Sequence, residues 1–104
     1  MDEDVAAEVF QALSNPDRLK VIRALVIAGP TGLTAGEIGA ALGASPSRAS
    51  FHLSSLTEAG VLTRERHART LRYSVDFTRI GALMRFLLED CCKGDAKLRR
   101  CCGL

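Results

Sequence analysis

The reactive side chains of this 104-residue chain are its cysteines, and they are gathered at one end. Cys91-Cys92 and Cys101-Cys102 are two vicinal pairs within the last fourteen residues, too far from the remainder of the chain to staple a core. Adjacent cysteines make strained disulfides, whereas soft metal and metalloid ions accept crowded thiolates, and Lys93, Lys97, Arg99 and Arg100 would favour deprotonation nearby. Tetrahedral zinc fits the spacing poorly, because structural zinc sites separate their thiols by a few residues at each end. Trivalent arsenic or antimony needs only a pyramid of sulfurs, which Cys91, Cys92 and one of Cys101 and Cys102 can supply. A redox-active or unused thiol cluster is the plainer alternative.

A second concentration is basic. Arg64, Arg66, Arg69 and Arg72, with His67, crowd into nine residues relieved only by Glu65. Residues 1 to 60 carry 4 basic and 7 acidic side chains, and residues 61 to 104 carry 10 and 5, so a net charge of +2 divides into −3 and +5. Extra arginines ordinarily mean a solvated surface, but a basic ribbon also suits a polyanion. Catalysis finds no foothold: the two histidines, His52 and His67, stand in no nucleophilic grouping, and no Gly-rich phosphate loop or zincin motif occurs.

The elements that must position these groups are read from caps and periodicity. Val5, Val9 and Leu13, with Ala6 and Phe10, repeat at helical spacing up to Ser14-Asn15-Pro16-Asp17, where Asn15 can cap and Pro16 can open a second helix. That helix is expected to turn Leu19, Ile22, Leu25 and Val26 inward and to stop near Gly29-Pro30. Thr34 and Glu37 stand in the capping-box relation and open a short helix carrying Ile38, Ala41 and Leu42 on one face, which Gly43 ends. Ser45-Pro46 opens the next helix at once, and two helices joined by so short a glycine-containing turn are a helix-turn-helix. Val61–Arg66 and Leu71–Val75 read as strands joined by His67-Ala68-Arg69-Thr70, with Leu71, Tyr73 and Val75 on one face. From Asp76 a last helix keeps Ile80, Leu83, Met84, Leu87, Leu88 and Cys91 in one stripe.

The order α-α-α-α-β-β-α, mainly α with a small β-hairpin, is that of a winged helix-turn-helix over residues 1–92, followed by a cysteine-containing tail over 93–104. On the fourth helix Ala49, Leu53 and Leu56 fall together and face the core, so Ser47, Phe51 and Ser54 project opposite, flanked by Arg48, Ser50 and Ser55. Small hydroxyls, from Ser45 at the helix start to Ser54, permit close approach to a major groove. Arg48 can reach a guanine or phosphate, and Phe51 a thymine methyl. The alternative is that Phe51 covers a neighbouring helix and the serines solvate a face; the basic hairpin, with Arg64, Arg66, Arg69 and Arg72 as phosphate contacts, favours DNA. His52 lies nearer the core direction and is read as packed and hydrogen-bonded.

At this length one core and one domain are the limit, with 47% hydrophobic and 25% charged residues and no repeat or low-complexity tract. The acidic start Met1-Asp2-Glu3-Asp4 is unlike a secretory signal, and the longest apolar run, Ala24 to Ala28, is far short of a membrane span, so a cytoplasmic protein is expected. The first and last helices keep apolar stripes that so small a core cannot cover, which predicts a homodimer through them and an inverted-repeat operator.

Ala12-Leu13-Ser14-Asn15-Pro16-Asp17-Arg18-Leu19, Leu33-Thr34-Ala35-Gly36-Glu37-Ile38, Ser50-Phe51-His52-Leu53, Glu58-Ala59-Gly60-Val61-Leu62 and Leu88-Glu89-Asp90-Cys91-Cys92 carry a further indication. Over about residues 5 to 92 the chain resembles the ArsR-type transcriptional repressors. That resemblance implies a dimeric winged-helix repressor without enzymatic activity. Cys91 and Cys92 match the arsenical-responsive branch, which implies that arsenite binding releases operator DNA. Other branches place a cysteine pair in the helix beginning at Thr34, or histidines and carboxylates along the last helix. Ala35 to Leu42 contains no cysteine and no histidine follows His67, so neither set carries over. The family's wing often turns on glycine where this chain has Ala68, and a turn requiring positive φ would cost about 1 kcal/mol there. The competing functional classes are a thiol-redox DNA-binding switch and a winged-helix interaction module that does not read DNA.

Overall fold

Local capping chemistry sets most of the helix boundaries. In the computed structural model, which describes residues 1–103 and of Cys102 the backbone but not the side chain, α1 spans Glu3–Leu13 and α2 spans Pro16–Ala28. Asn15 Oδ1 accepts the amide of Asp17 at 2.8 Å and that of Arg18 at 3.4 Å, with Pro16 in the first turn. The reciprocal Thr34–Glu37 box opens α3, Ala35–Leu42, and Gly43 closes it in the left-handed conformation. Ser45 caps α4, Pro46–Glu58. Strands β2, Leu62–His67, and β3, Thr70–Val75, form the expected hairpin, and α5 covers Phe77–Arg85 behind the cap of Asp76.

Three elements go beyond the expected order. Leu33–Thr34 forms a short strand, β1, that pairs with β3 through Leu33↔Tyr73 and Thr34↔Arg72, giving an antiparallel sheet in the order β1-β3-β2. The last helix widens into a π-helical segment over Phe86–Cys91, where the Cys92 amide donates to the Leu87 carbonyl at 3.1 Å. The tail, beyond Lys93 and Gly94 with φ of +53° and +66°, forms α6 over Ala96–Cys102.

The core is built where the helices meet the rooted end of the sheet. Val9, Val21, Leu25, Ile38, Leu53, Leu56 and Val61 are its fully buried side chains, each contributing about 1.5–3 kcal/mol by removal from water. The inward face of α4 is the predicted one, Ala49, Leu53 and Leu56. On α2 the prediction fails in part. Val21 and Leu25 are buried, while Leu19 and Val26 are about half exposed, because packing against α3, α4 and β3 selects the face on which Val21 and Leu25, one turn apart, stand together. On α3 Gly39, not Ala41, is buried beside Ile38, for there α3 approaches Ala49 of α4. Phe10, Phe77 and Met84, on α1 and α5, remain exposed. Among the described residues no helix is long and apolar enough to cross a membrane.

Gly32, ahead of β1, is held at φ +70°, and a β-carbon there would stand 2.2 Å from the Tyr73 carbonyl oxygen. The wing turn needs positive φ at Ala68, +57°, as the alanine-for-glycine departure anticipates.

Candidate nucleic-acid interface and thiol cluster

With Ala49, Leu53 and Leu56 fixed in the core, the opposite side of α4 is presented to solvent. Ser47, Arg48, Ser50, Phe51 and Ser54 are all exposed and Ser55 is half-buried, which is the arrangement read from the sequence by rotation. Phe51 is 62% exposed, a large apolar surface for a small polar helix face. Ser45 plays a different part: its Oγ accepts the Arg48 amide at 3.3 Å, so this hydroxyl serves the helix terminus.

The Arg48 guanidinium donates to Asp17 Oδ2 at 2.9 Å. The neighbouring residue, Arg18, donates through Nε to His52 Nδ1 at 3.1 Å and sets its guanidinium 5.4 Å from the Phe51 ring centroid. His52 is buried and hydrogen-bonded as predicted. Its Nε2 has no hydrogen-bond partner among the described residues, and Asp17 Oδ2 lies 3.7 Å away. Asp17 and Arg18 were not legible as site residues, since periodicity along α2 says nothing of what their side chains meet on α4.

Register decides what the wing presents. Leu62↔Val75, Arg64↔Tyr73 and Arg66↔Leu71 are cross-strand partners, so Arg64 and Arg66 continue outward the same sheet face that enters the core at Leu62. Arg64, Arg66 and Arg69 are exposed, and His67 lies 3.5 Å from Glu65. Arg72 is on the other face and half-buried, donating to the carbonyls of Gly32 at 3.2 Å and Thr31 at 3.5 Å. Its guanidinium ties β3 to the loop before β1.

Beyond α5, Cys91, Cys92 and Cys101 are free, exposed thiols. Of the four cysteines singled out in the sequence, the Cys102 side chain lies outside the described residues. The Cys91 thiol, hydrogen-bonded to that of Cys92, raises the Cys92 thiol above its ordinary range, with partial desolvation and the Asp95 carboxylate acting in the same direction. The nearby basic residues therefore do not make Cys92 a ready thiolate, and Arg99 is already engaged, donating to Glu89 Oε1 at 2.5 Å and the Gly94 carbonyl at 3.2 Å. This clasp folds α6 back toward the π-helical segment. Among the described residues no three metal-ligating side chains converge, so the vicinal pair stands together without Cys101.

Residues 13–65 match the family model described as a helix-turn-helix domain. The chain is similar to the probable mercury resistance operon repressor of Streptomyces lividans, with 35% identity over 100 residues covering 95% of this chain and 76% of that protein. It is also similar to the putative arsenical resistance operon repressor of Halobacterium salinarum, 43% identical over 65 residues, covering 62% of this chain and 50% of that protein. Among solved structures, the homodimeric winged helix-turn-helix DNA-binding domain of a possible ArsR-family transcriptional regulator from Mycobacterium bovis superposes with a TM-score of 0.66 at 26% identity, covering 84% of this chain and 81% of that one.

Proposed function

Since this chain belongs to the ArsR-type family of winged helix-turn-helix transcriptional repressors, we propose that it binds an operator as a homodimer and releases it when trivalent arsenic or antimony is captured by its C-terminal thiols. The outward face of α4 carries the DNA reading: hydroxyls at Ser47, Ser50 and Ser54 beside Arg48 and Phe51, with Arg64, Arg66 and Arg69 of the wing as phosphate contacts. Ser45 and Arg72 contribute by shaping the helix start and the sheet. The exposed Phe10, Phe77 and Met84 on α1 and α5 support a dimer through the first and last helices, as does the homodimeric state named for the Mycobacterium structure.

Cys91 and Cys92 supply two adjacent sulfurs, and Cys101 or Cys102 completes the pyramid if α6 swings across. A hydroxylated, neutral metalloid suits protonated thiols, because each thiol proton leaves with a metalloid hydroxide as water. The elevated Cys92 thiol is then no obstacle. Release follows if the ion prefers a dimer geometry that holds the two reading helices out of register; coupling of about 1–3 kcal/mol, roughly 5–150-fold in affinity, is typical of allostery. Divalent mercury is the second reading, favoured by the Streptomyces relative, and needs only the vicinal pair.

The test is fluorescence anisotropy on a duplex selected by the protein from a random pool, titrated with arsenite, antimonite, mercuric ion, zinc and peroxide. Release by arsenite or antimonite, lost in Cys91→Ser and Cys92→Ser with DNA binding retained, is the expected result. Release by mercuric ion alone selects the second reading, release by peroxide alone makes the protein a redox switch, and failure to bind any duplex leaves an interaction module.

A further inference from the structure

We infer that Asp17 and Arg18 are positioning residues through which α2 sets the sequence preference of α4, an inference that rests on the DNA reading proposed above. Two consecutive residues of α2 hold two outward side chains of α4 three positions apart. Asp17 takes the guanidinium of Arg48 and Arg18 lies over the ring of Phe51. His52, buried between them, accepts from Arg18 and brings its other nitrogen to 3.7 Å from Asp17. The anchoring end is the sheltered one: the Asp17 side chain is 26% exposed and that of Arg48 is 67% exposed. The aspartate is therefore a seated acceptor, and the arginine is an exposed donor restrained toward one direction.

Restraint of this kind acts on discrimination. An untethered arginine follows any phosphate oxygen it meets, whereas one already turned by Asp17 loses less conformational freedom on a base edge that suits that direction. The carboxylate also competes with phosphates, which lowers affinity for duplexes lacking the favoured base. Arg18 does the same for Phe51, holding the ring where only a correctly placed thymine methyl meets it.

The experiment compares a duplex enriched by the wild-type protein from a random pool with the unselected pool, over a series of salt concentrations. Asp17→Asn keeps the size of the side chain and removes its charge. The preference for the enriched duplex should fall by about two- to fivefold, the range of an exposed ion pair, and the salt dependence on the unselected pool should steepen by up to about 0.9 in log K against log salt, one more phosphate engaged. In an Arg48→Gln background the same substitution should change neither quantity, and Arg18→Lys should lower the preference only while Phe51 is present. An Asp17→Asn effect that persists undiminished with Arg48→Gln would mean simple charge repulsion of DNA and overturns the inference, as does an unchanged preference and salt slope in Asp17→Asn. A wild-type protein that enriches no duplex refutes the DNA reading itself, and the inference with it.

Discussion

Substituting Gly32 by alanine isolates the contact that joins the helix-turn-helix to the wing. Gly32 and Gly43 both have positive φ, +70° and +65°, so an alanine at either carries backbone strain of about 1 kcal/mol. They differ in surroundings. Nothing lies within 4 Å of a β-carbon at Gly43, whereas at Gly32 the Tyr73 carbonyl oxygen would be 2.2 Å away. That oxygen belongs to β3 backbone, so relief requires β1 to move off β3, loosening the Leu33↔Tyr73 and Thr34↔Arg72 pairs and the Arg72 tether to the Gly32 carbonyl. At about 1 kcal/mol per hydrogen bond lost, Gly32→Ala should be destabilised by roughly 3 kcal/mol, against about 1 kcal/mol for Gly43→Ala. For a domain of this size that is a fall in Tm of about 12–24 °C against about 4–8 °C. Thermal denaturation followed by circular dichroism at one fixed protein concentration measures both, the fixed concentration being needed if folding and dimerisation are linked. A Gly32→Ala protein no less stable than Gly43→Ala would refute the reasoning, because strain alone would then account for both.

At the wing tip the sign reverses: Ala68→Gly should stabilise by about 0.5 kcal/mol, the relief of left-handed strain less the added freedom of the unfolded chain, and a lower Tm would count against the turn geometry. The Glu37 carboxyl is held below its ordinary range first by the Thr34 backbone amide, then by the Thr34 hydroxyl, with Arg72 adding to the effect. Its contribution to stability is therefore complete above the usual carboxylate range and disappears as pH falls through the lowered value; Glu37→Gln should flatten the acid limb of a Tm against pH profile. Because Cys91 is the main reason that the Cys92 thiol is elevated, Cys91→Ser should shift the pH midpoint of Cys92 alkylation, followed by mass spectrometry, to lower pH. An unmoved midpoint would show that the two thiols do not interact.

What could be read from the sequence was whatever neighbouring residues decide among themselves. Asn15-Pro16, Thr34 with Glu37, Gly43 and Ser45-Pro46 each satisfy helix-end groups within a few positions, so the two helices of the motif and the outward face of α4 followed from local chemistry. The rest depends on distant partners. Strand β1 exists only because Tyr73 and Arg72, some forty residues on, lie alongside. Arg72 counted as a wing arginine until that pairing gave it the carbonyls of Thr31 and Gly32. Leu19 and Val26 are apolar but lie off the face that α2 turns inward, a choice that hydrophobicity alone does not make. The grip of Asp17 and Arg18 on α4 spans about thirty positions for the same reason.

The π-helical segment has a mechanical corollary. A stretch closed by bonds to the fifth residue back holds one residue more than a regular α-helix of the same bonding count, so its downstream end is out of phase with α5 by about 100°. The stripe of Leu83 and Leu88 accordingly does not run on to Cys91, which faces water. Shortening the segment by one residue would restore the phase and swing both neighbouring sulfurs about the axis as a unit, leaving α5 in place: a crankshaft between the helical scaffold and its sulfur terminus.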